Sequence, residues 1–190
     1  MAGWRLRPAR AGDAGEVLVV SLAAFVSEAQ RYGDPLLPPL RETVADVRAA
    51  IEDPALRVVV AEAGAWSDWK PDRLLGAVRV RLARDPSPAQ GAGPDDQDDD
   101  GGGPLVGHVG RLVVVPDAQG RGLGKALLGA AEDEARRSGA ARMELFTGAA
   151  SESSIALYQR AGYRVSDRPG DADRVDDRGV RLVVLIKPLT

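Results

Sequence analysis

Apolar residues follow two different spacings along the chain, and the spacing separates the predicted helices from the predicted strands. Between Asp13 and about Arg31, apolar residues recur about every three to four positions, as on the buried face of a helix. The residues "DAGE" that open this stretch fit a capping box, with Asp13 at the N-cap and Glu16 reaching back to it. Three further segments have the helical spacing and predict helices: 41–53, 125–139 and 151–162.

The other apolar stretches are short, and they either alternate with polar residues or run continuously, as strands do. They predict strands at 3–9, 57–64, 74–83, 107–116, 141–148, 163–166 and 180–189. The strands at 57–64 and 74–83 flank a turn that carries Trp66 and Trp69, which indicates an antiparallel hairpin. The element order β-α-α-β-β-β-α-β-α-β-β predicts a single α/β (α+β) domain over residues 1–190, with a mixed, mostly antiparallel sheet flanked by helices.

Residues 85–104 read "DPSPAQGAGPDDQDDDGGGP" and differ in composition from the rest of the chain. Proline, glycine and aspartate dominate this segment, and apart from proline it has no apolar residue larger than alanine. Such a segment buries too little surface to offset the entropy lost on ordering, so we predict a flexible acidic Gly/Pro-rich loop between two strands. Two roles are open for it: a solvated linker, or an acidic surface that attracts a cationic substrate over a distance.

Composition and charge exclude several classes of site and partner. The chain has no cysteine and a single histidine, His108, which excludes disulfides, thiolate metal sites, a cysteine nucleophile and a multi-histidine metal site. The net charge of -3 gives no indication of a nucleic-acid partner. The longest apolar stretch, at 17–26, is too short to cross a bilayer, and the N-terminus lacks the apolar core of a secretory signal. We therefore expect no membrane association and a cytoplasmic location.

Residues 119–124 read "QGRGLG" and lie between a predicted strand and a predicted helix. The start of a helix has free backbone N–H groups and a partial positive charge, and glycines let an anion approach these groups closely. A P-loop does not fit, because Ala126 stands where Ser or Thr must hold magnesium and Gln119 stands at the first glycine position. The dinucleotide pattern G-x-G-x-x-G also fails, because its third glycine position is Lys125 or Leu127, depending on the register.

A third pattern fits these residues. Gln119-x-x-Gly122-x-Gly124 resembles the Q/R-x-x-G-x-G/A motif of the GCN5-related N-acetyltransferase (GNAT) family. The preceding "LVVVPDA" is similar to the family's fourth strand and proline turn, and "SSIALYQRAGY" is similar to its downstream helix, with Tyr158 at the tyrosine position. The element order also matches over nearly the whole chain. The resemblance implies the acyl-CoA N-acyltransferase fold and an acetyl-CoA-dependent N-acetyltransferase without a metal.

The resemblance also assigns residues to the cofactor. Backbone N–H groups of the glycine loop would hold the diphosphate of coenzyme A, and the preceding strand would pair with the pantetheine arm and polarise the thioester carbonyl. Ser151 takes the place of an asparagine that relatives often carry seven residues before the tyrosine. The cofactor-binding residues implied in this way are Val113, Val114, Val115, Gln119, Gly120, Arg121, Gly122, Leu123, Gly124, Lys125, Ala126 and Ser151.

The same resemblance implies that the acceptor amine attacks the acetyl carbonyl directly, and the lack of cysteine removes the commonest acyl-enzyme route. Tyr158 is predicted to protonate the thiolate leaving group. His108 is the candidate base, because it lies about where many relatives have a glutamate at the start of the fourth strand and because histidine titrates near neutrality. Glu144 is the second candidate for the base.

The acceptor of the acetyl group is predicted only as a class, a small-molecule or peptide amine. In this fold the first two helices and their connection, here residues 25–45, line the acceptor site, and the polar loop 166–179 would form the opposite wall. Three interpretations stay open: an N-acetyltransferase, a non-catalytic module that binds or senses acyl-CoA, and an enzyme with another donor such as succinyl-CoA. A homodimer is also open, by analogy with the fold.

Overall fold

The computed structural model describes residues 3–65, 68–85 and 103–189. Trp66 and nearly all of the predicted loop at 85–104 lie outside the described residues. The described chain contains seven strands and four α-helices in the predicted order. The strands are β1 (Trp4–Pro8), β2 (Leu56–Ala63), β3 (Leu74–Arg84), β4 (Leu105–Val114), β5 (Arg142–Gly148), β6 (Arg164–Val165) and β7 (Leu182–Pro188). The helices are α1 (Ala14–Tyr32), α2 (Val44–Glu52), α3 (Leu123–Arg137) and α4 (Glu152–Arg160).

The strands form one sheet in the order β1-β2-β3-β4-β5-β7-β6. Neighbouring strands are antiparallel except for β4 and β5, which are parallel and are connected through α3. Helices α1 and α3 both pack against β3 and β4, so the central strands are covered on both faces. The mixed, mostly antiparallel sheet flanked by helices is therefore confirmed.

The pairing between β4 and β5 is short, and its end opens the sheet. Only Val106–His108 of β4 pair with β5. Beyond His108, β4 continues to pair with β3 and β5 continues to pair with β7, so a gap separates the C-terminal halves of the two strands. The β3–β4 pairing contains a bulge near this point, and Arg111 there has a left-handed backbone with a φ of 51°. The C-terminal half of β4 borders this gap, and helix α3 begins nine residues after the end of β4.

A buried ion pair connects helix α3 to strand β7. Its predicted apolar face is buried, and Glu132 on the same helix is buried with it. The Glu132 carboxylate accepts a hydrogen bond from the Lys187 ammonium of β7 at 2.6 Å. Lys187 also donates to the Ala161 carbonyl oxygen, just after α4, at 2.8 Å. One lysine therefore joins α3, β7 and the residue after α4, beside the paired part of β4 and β5. A buried pair of this kind contributes little net stability but is costly to break.

The start of α1 differs from the predicted capping box. Asp13 lies in a 3-10 turn before the helix, and its carboxylate accepts from the Arg10 backbone N–H at 2.7 Å and pairs with Arg7. Glu16 accepts from the backbone N–H of Leu74, at the start of β3, at 2.7 Å. Asp13 is the N-cap residue of α1, as predicted, but the predicted capping-box bonds are absent because both carboxylates bond to groups outside the helix. Like the other described helices, α1 is not both long and apolar enough to cross a membrane.

Candidate active site

A cavity of about 1110 Å³ passes through the gap between β4 and β5. The glycine loop and the first turn of α3 line one end of it, and α4 lines its floor. The second half of α1, the α1–α2 connection and the loop before β7 line the other end. These are the segments in which the sequence placed the cofactor and the acceptor walls. In the described ranges, no group of three or more histidine, aspartate or glutamate side chains is arranged to hold a metal ion.

The glycine loop presents a run of unbonded backbone N–H groups to the cavity. Gly120 and Gly122 have φ angles of 74° and 83°, a conformation that side chains with a Cβ rarely adopt. The six consecutive N–H groups of residues 120–125 donate to no acceptor of the described chain. The next N–H, that of Ala126, closes the first turn of α3 on the Gly122 carbonyl oxygen at 3.1 Å. Ala126 was predicted as a cofactor contact, but its N–H is already used within the helix.

Two cationic side chains line the cavity near this loop. Lys125 and Arg160 both line it, and neither forms an ion pair with any described residue. The sequence interpretation included Lys125 but missed Arg160, which follows Tyr158 by two positions on α4. Arg121 was predicted to add charge here, but its guanidinium lies over the Trp69 ring, 4.6 Å from the centroid, and pairs with Asp68 at 3.1 Å. Arg121 therefore lies on the outer side of the loop.

Val113 and Val114 end strand β4 and Val115 follows it. The backbone N–H groups of these three valines point in different directions. The Val115 N–H donates to the Leu75 carbonyl oxygen at 2.9 Å, so it points toward β3. Because hydrogen-bonded and non-bonded pairs alternate in an antiparallel ladder, Val113 also points toward β3 and Val114 points into the gap. The Val114 carbonyl oxygen accepts the Gln119 side-chain amide at 3.0 Å. The predicted set of three backbone contacts therefore needs correction, because only Val114 presents its N–H to the cavity.

Tyr158 lies on α4 with its ring buried and its side chain lining the cavity. Burial raises the pKa of its hydroxyl to about 12, and the negative charge of Glu28 adds to this increase. The hydroxyl therefore keeps its proton at neutral pH, as a general acid requires. The Tyr158 ring packs against the Tyr163 ring, with the centroids 6.0 Å apart. The predicted position of this tyrosine in the candidate active site is thus observed.

Ser151 was predicted to contact the cofactor, and the structure places it in a buried network instead. Its side chain is fully buried, and its hydroxyl donates to the Glu28 carboxylate of α1. The Tyr32 hydroxyl, also from α1, lies 3.0 Å from the Ser151 oxygen. Ser151 stands at the N-cap of α4, yet its hydroxyl makes no capping bond. A Cβ on Gly148 would lie 2.0 Å from the Tyr32 hydroxyl, so a larger residue there would displace the Tyr32 side chain.

Neither of the two predicted bases lines the cavity. His108 lies on β4 between Arg81 of β3 and Glu144 of β5, before the gap opens. Burial lowers the pKa of the His108 imidazole, and nearby charges of both signs act on it. The Glu144 carboxylate pairs with Arg168 at 2.7 Å and lies 3.8 Å from Arg142. Both side chains therefore belong to a charged cluster next to the cavity, on the paired part of the strands.

At the acceptor end of the cavity, each lining arginine has an acidic partner. Arg31 pairs with Glu28 at 3.2 Å, and Arg178 pairs with Asp34 at 2.7 Å. Arg111 donates to Glu42 at 3.1 Å, and Arg79 binds the same carboxylate through both of its terminal nitrogens. The apolar residues of this wall are Phe25, Leu37, Pro38, Pro39, Phe146, Val180 and Leu182.

Comparison with known proteins places the chain among acetyltransferases. Over 94 residues it is 37% identical to the IAA acetyltransferase of Azospirillum brasilense, which is 50% of this chain and 56% of that protein. The structure resembles Arabidopsis thaliana NAA60 in complex with acetyl-CoA, with a TM-score of 0.70, 14% identity and coverage of 98% of both chains. It also resembles yncA of Salmonella typhimurium with its cofactor acetyl-CoA, with a TM-score of 0.65, 20% identity and coverage of 100% of this chain and 95% of that one.

The chain thus spans 56% of the length of this relative, and it spans 29% of a mycothiol acetyltransferase of Geodermatophilus obscurus to which it is 33% identical over 101 residues. The structural similarities extend over nearly the whole chain at low identity, and they show the fold. The sequence profile of the Acetyltransferase (GNAT) family matches residues 25–163, which include α1 from its middle, the glycine loop and α4. With most of its length matched by this profile, the chain belongs to the acetyltransferase (GNAT) family.

Proposed function

We propose that this protein is an acetyl-CoA-dependent N-acetyltransferase that moves the acetyl group directly to a primary amine of a small molecule or peptide. The observation that carries the proposal is the run of six N–H groups at 120–125, before and at the start of α3, that donate to no acceptor among the described residues. Backbone donors at a helix start, together with the helix dipole, form a site for phosphate groups. The acetyl-CoA in the solved complex of the Arabidopsis relative supports the choice of this cofactor.

The described residues at the glycine-loop end of the cavity and along the gap fit coenzyme A. The diphosphate would bind the N–H groups of residues 120–125, and Lys125 and Arg160 would neutralise part of its charge. The pantetheine arm would follow the open edge of β4, where the Val114 N–H and carbonyl oxygen point into the gap. The Val114 carbonyl oxygen would then give up its hydrogen bond from the Gln119 side-chain amide and accept one from the pantetheine arm. This path ends beside Tyr158, so the thioester would lie between the two walls of the gap.

The residues around the thioester can perform the two polar tasks of the transfer. The Val114 N–H points into the gap, and it would bind the carbonyl oxygen as negative charge develops there. Tyr158 would donate its proton to the sulfur as the C–S bond breaks. Its raised pKa of about 12 keeps the hydroxyl protonated until that step. The chain has no cysteine to form a thioester of its own, and this favours direct transfer.

The first test of the proposal is a calorimetric titration with acetyl-CoA and with free coenzyme A. Gly122→Ala should weaken the binding of both by about tenfold or more, because an alanine at a φ of 83° costs about 1–2 kcal/mol and turns the N–H groups away. Gly129→Ala is the matched control, since Gly129 lies within α3 and an added Cβ meets no atom within 4 Å there or at Gly122. No binding by the unmodified protein would overturn the proposal.

The second test is turnover with a library of primary amines, measured as release of the coenzyme A thiol. Acetylation of at least one amine is expected, and Tyr158→Phe should reduce it strongly while leaving acetyl-CoA binding intact. Binding without acetylation of any amine would indicate a module that binds acyl-CoA without turnover. Faster transfer from succinyl-CoA than from acetyl-CoA would overturn the choice of donor.

A further inference from the structure

We infer that Glu28 binds the ammonium group of the acceptor and takes its proton, and that the acceptor end of the cavity selects amines without an anionic group beside the nitrogen. This inference rests on the proposed function and names the substrate class of the same cavity. It assigns to helix α1, through Glu28, the binding and deprotonation of the acceptor amine.

Glu28 is positioned like a functional carboxylate. It lines the cavity from the second half of α1, and its side chain retains 24% of its exposure. One carboxylate oxygen accepts the Ser151 hydroxyl, and the other accepts Arg31 at 3.2 Å. Ser151 is itself fixed by the Tyr32 hydroxyl. Each carboxylate oxygen has two acceptor sites, so the group can bind an ammonium without losing these partners.

Glu28 shares the cavity with the proposed acid. Both Glu28 and Tyr158 line it, one from α1 and the other from α4. The charge of Glu28 contributes, after burial, to the raised pKa of Tyr158, so the two groups interact electrostatically. An acceptor bound between the two walls would therefore lie in the same space as both groups. His108 and Glu144 are outside this space.

The proton balance of the transfer is complete with these two groups. The ammonium gives one proton to Glu28, which passes it to water. The neutral nitrogen then forms a bond to the acetyl carbon, the C–S bond breaks with its electron pair on sulfur, and Tyr158 gives its proton to the sulfur. The second proton lost by the nitrogen as the amide forms restores the Tyr158 hydroxyl. The products are the N-acetyl amine, coenzyme A thiol and one released proton.

The charges at this end decide the class of amine. Arg31, Arg111 and Arg178 are each already paired with a carboxylate, so among the described residues that line this end a carboxylate or phosphonate of the acceptor meets no uncompensated cation. The unpaired Lys125 and Arg160 lie near the glycine loop, at the other end. Asp176 and Asp177 also line this end, and the Asp177 side chain is 87% exposed. The apolar wall opposite them can hold an aromatic or aliphatic group. The end therefore fits a cationic amine with an apolar substituent.

The decisive experiment compares variants with the best acceptor of the amine library. Glu28→Gln should lower kcat/KM for the amine by about 100-fold, with the KM for acetyl-CoA unchanged, because the general base is removed while an acceptor oxygen remains for Ser151. The loss should shrink as the pH rises and more of the amine is already neutral, which a purely structural defect would not show. Glu28→Asp should recover part of the rate. Glu52→Gln, at an exposed glutamate that ends α2, is the matched control.

The acceptor class is tested with matched pairs such as 2-phenylethylamine and L-phenylalanine, which differ only in the carboxylate. In each pair that reacts, the amine without the carboxylate should be preferred by about tenfold or more, as for an anion that finds no partner. Preference for the carboxylate member would overturn the class. A rate for Glu28→Gln within threefold of the unmodified protein, or a large loss in His108→Gln alone, would overturn Glu28. If no amine reacts, the proposed function and this inference fail together, and the acetyl-CoA titration separates a binding module from a protein with no cofactor site.

Discussion

The guanidinium of Arg178 donates to the carboxylate of Asp34 at 2.7 Å, and this bond joins the loop before β7 to the segment after α1. Both segments border the acceptor end of the cavity. We predict that Arg178→Ala raises the KM for the acceptor by about three- to tenfold and leaves the KM for acetyl-CoA unchanged. Steady-state kinetics with each substrate varied in turn will measure both values. The expected loss is of the size of one partly exposed ion pair, about 1 kcal/mol.

The control for this prediction is Arg48→Ala, on the exposed surface of α2. It removes the same charge from the protein without touching the cavity. An equal increase in the acceptor KM in both variants would mean that net charge is responsible, and it would contradict a local role for the Arg178–Asp34 pair.

Lys125 and Arg160 line the cavity near the glycine loop and form no ion pair with a described residue, so removal of either charge should weaken coenzyme A binding. We predict that Lys125→Ala and Arg160→Ala each raise the Kd for free coenzyme A by about three- to tenfold, since each loses a charge-assisted contact worth about 1 kcal/mol. Arg121→Ala is the matched control, because its guanidinium already lies on Trp69 and pairs with Asp68. Calorimetry at two salt concentrations should show a weaker salt dependence for the first two variants. An Arg121→Ala effect as large as theirs would refute the assignment.

The pH profile of the reaction should reflect the raised pKa of Tyr158. The protonated hydroxyl is the active form, and with a pKa of about 12 it stays protonated across the usual assay range. We therefore predict that kcat/KM for the amine rises with pH and shows no decline due to Tyr158 below about pH 11. Tyr158→Phe should lower kcat by about 100-fold at all of these pH values. A decline that begins near pH 8 in the unmodified protein and is absent from this variant would contradict the prediction.

The single histidine should make the protein less stable in mild acid. Burial lowers the pKa of His108 in the folded state below its value of 6.5 in the unfolded chain, so the unfolded state binds more protons between the two values. The stability from the neutral imidazole is present above pH 6.5 and is lost as the pH falls toward the folded-state pKa. Urea titrations at pH 7 and pH 5 should show this loss, and His108→Gln should reduce it. The pKa values of Asp13 and Glu62 are lowered as well, and the stability that these carboxylates contribute is lost only at a lower pH than that from His108.

Much of the fold was predictable because its information is local. Hydrophobic spacing placed every helix and strand, and the order of elements fixed the sheet class. The glycine loop was also visible, because a left-handed φ such as that of Gly122 strongly favours glycine. Tyr158 could be assigned because the stretch "SSIALYQRAGY" resembles the family's downstream helix, which carries a tyrosine at this position.

The rest of the site depends on contacts between distant segments. Which valine faces the gap follows from the β3–β4 register and its bulge, and neither has a sequence pattern of its own. Ser151 is bonded to Glu28, which is 123 positions away, so its distance from Tyr158 gave no indication of this role. Arg160 and Glu28 lie on helices whose general position was predicted, but only packing decides which helix faces line the cavity. Trp66 and nearly all of residues 85–104 lie outside the described residues, and their predicted roles stay predictions.

The backbone donors of the glycine loop also bear on how this protein tolerates sequence change. Since the N–H groups of residues 120–125 belong to the main chain, most substitutions that preserve the two left-handed glycines would leave the proposed contacts to the cofactor in place. The opposite end of the cavity consists of side chains such as Phe25, Glu28 and Arg178, which a single codon change can replace. Variation can therefore accumulate at one end while the other stays constant, and one scaffold can be adapted to new amines without rebuilding its donor site.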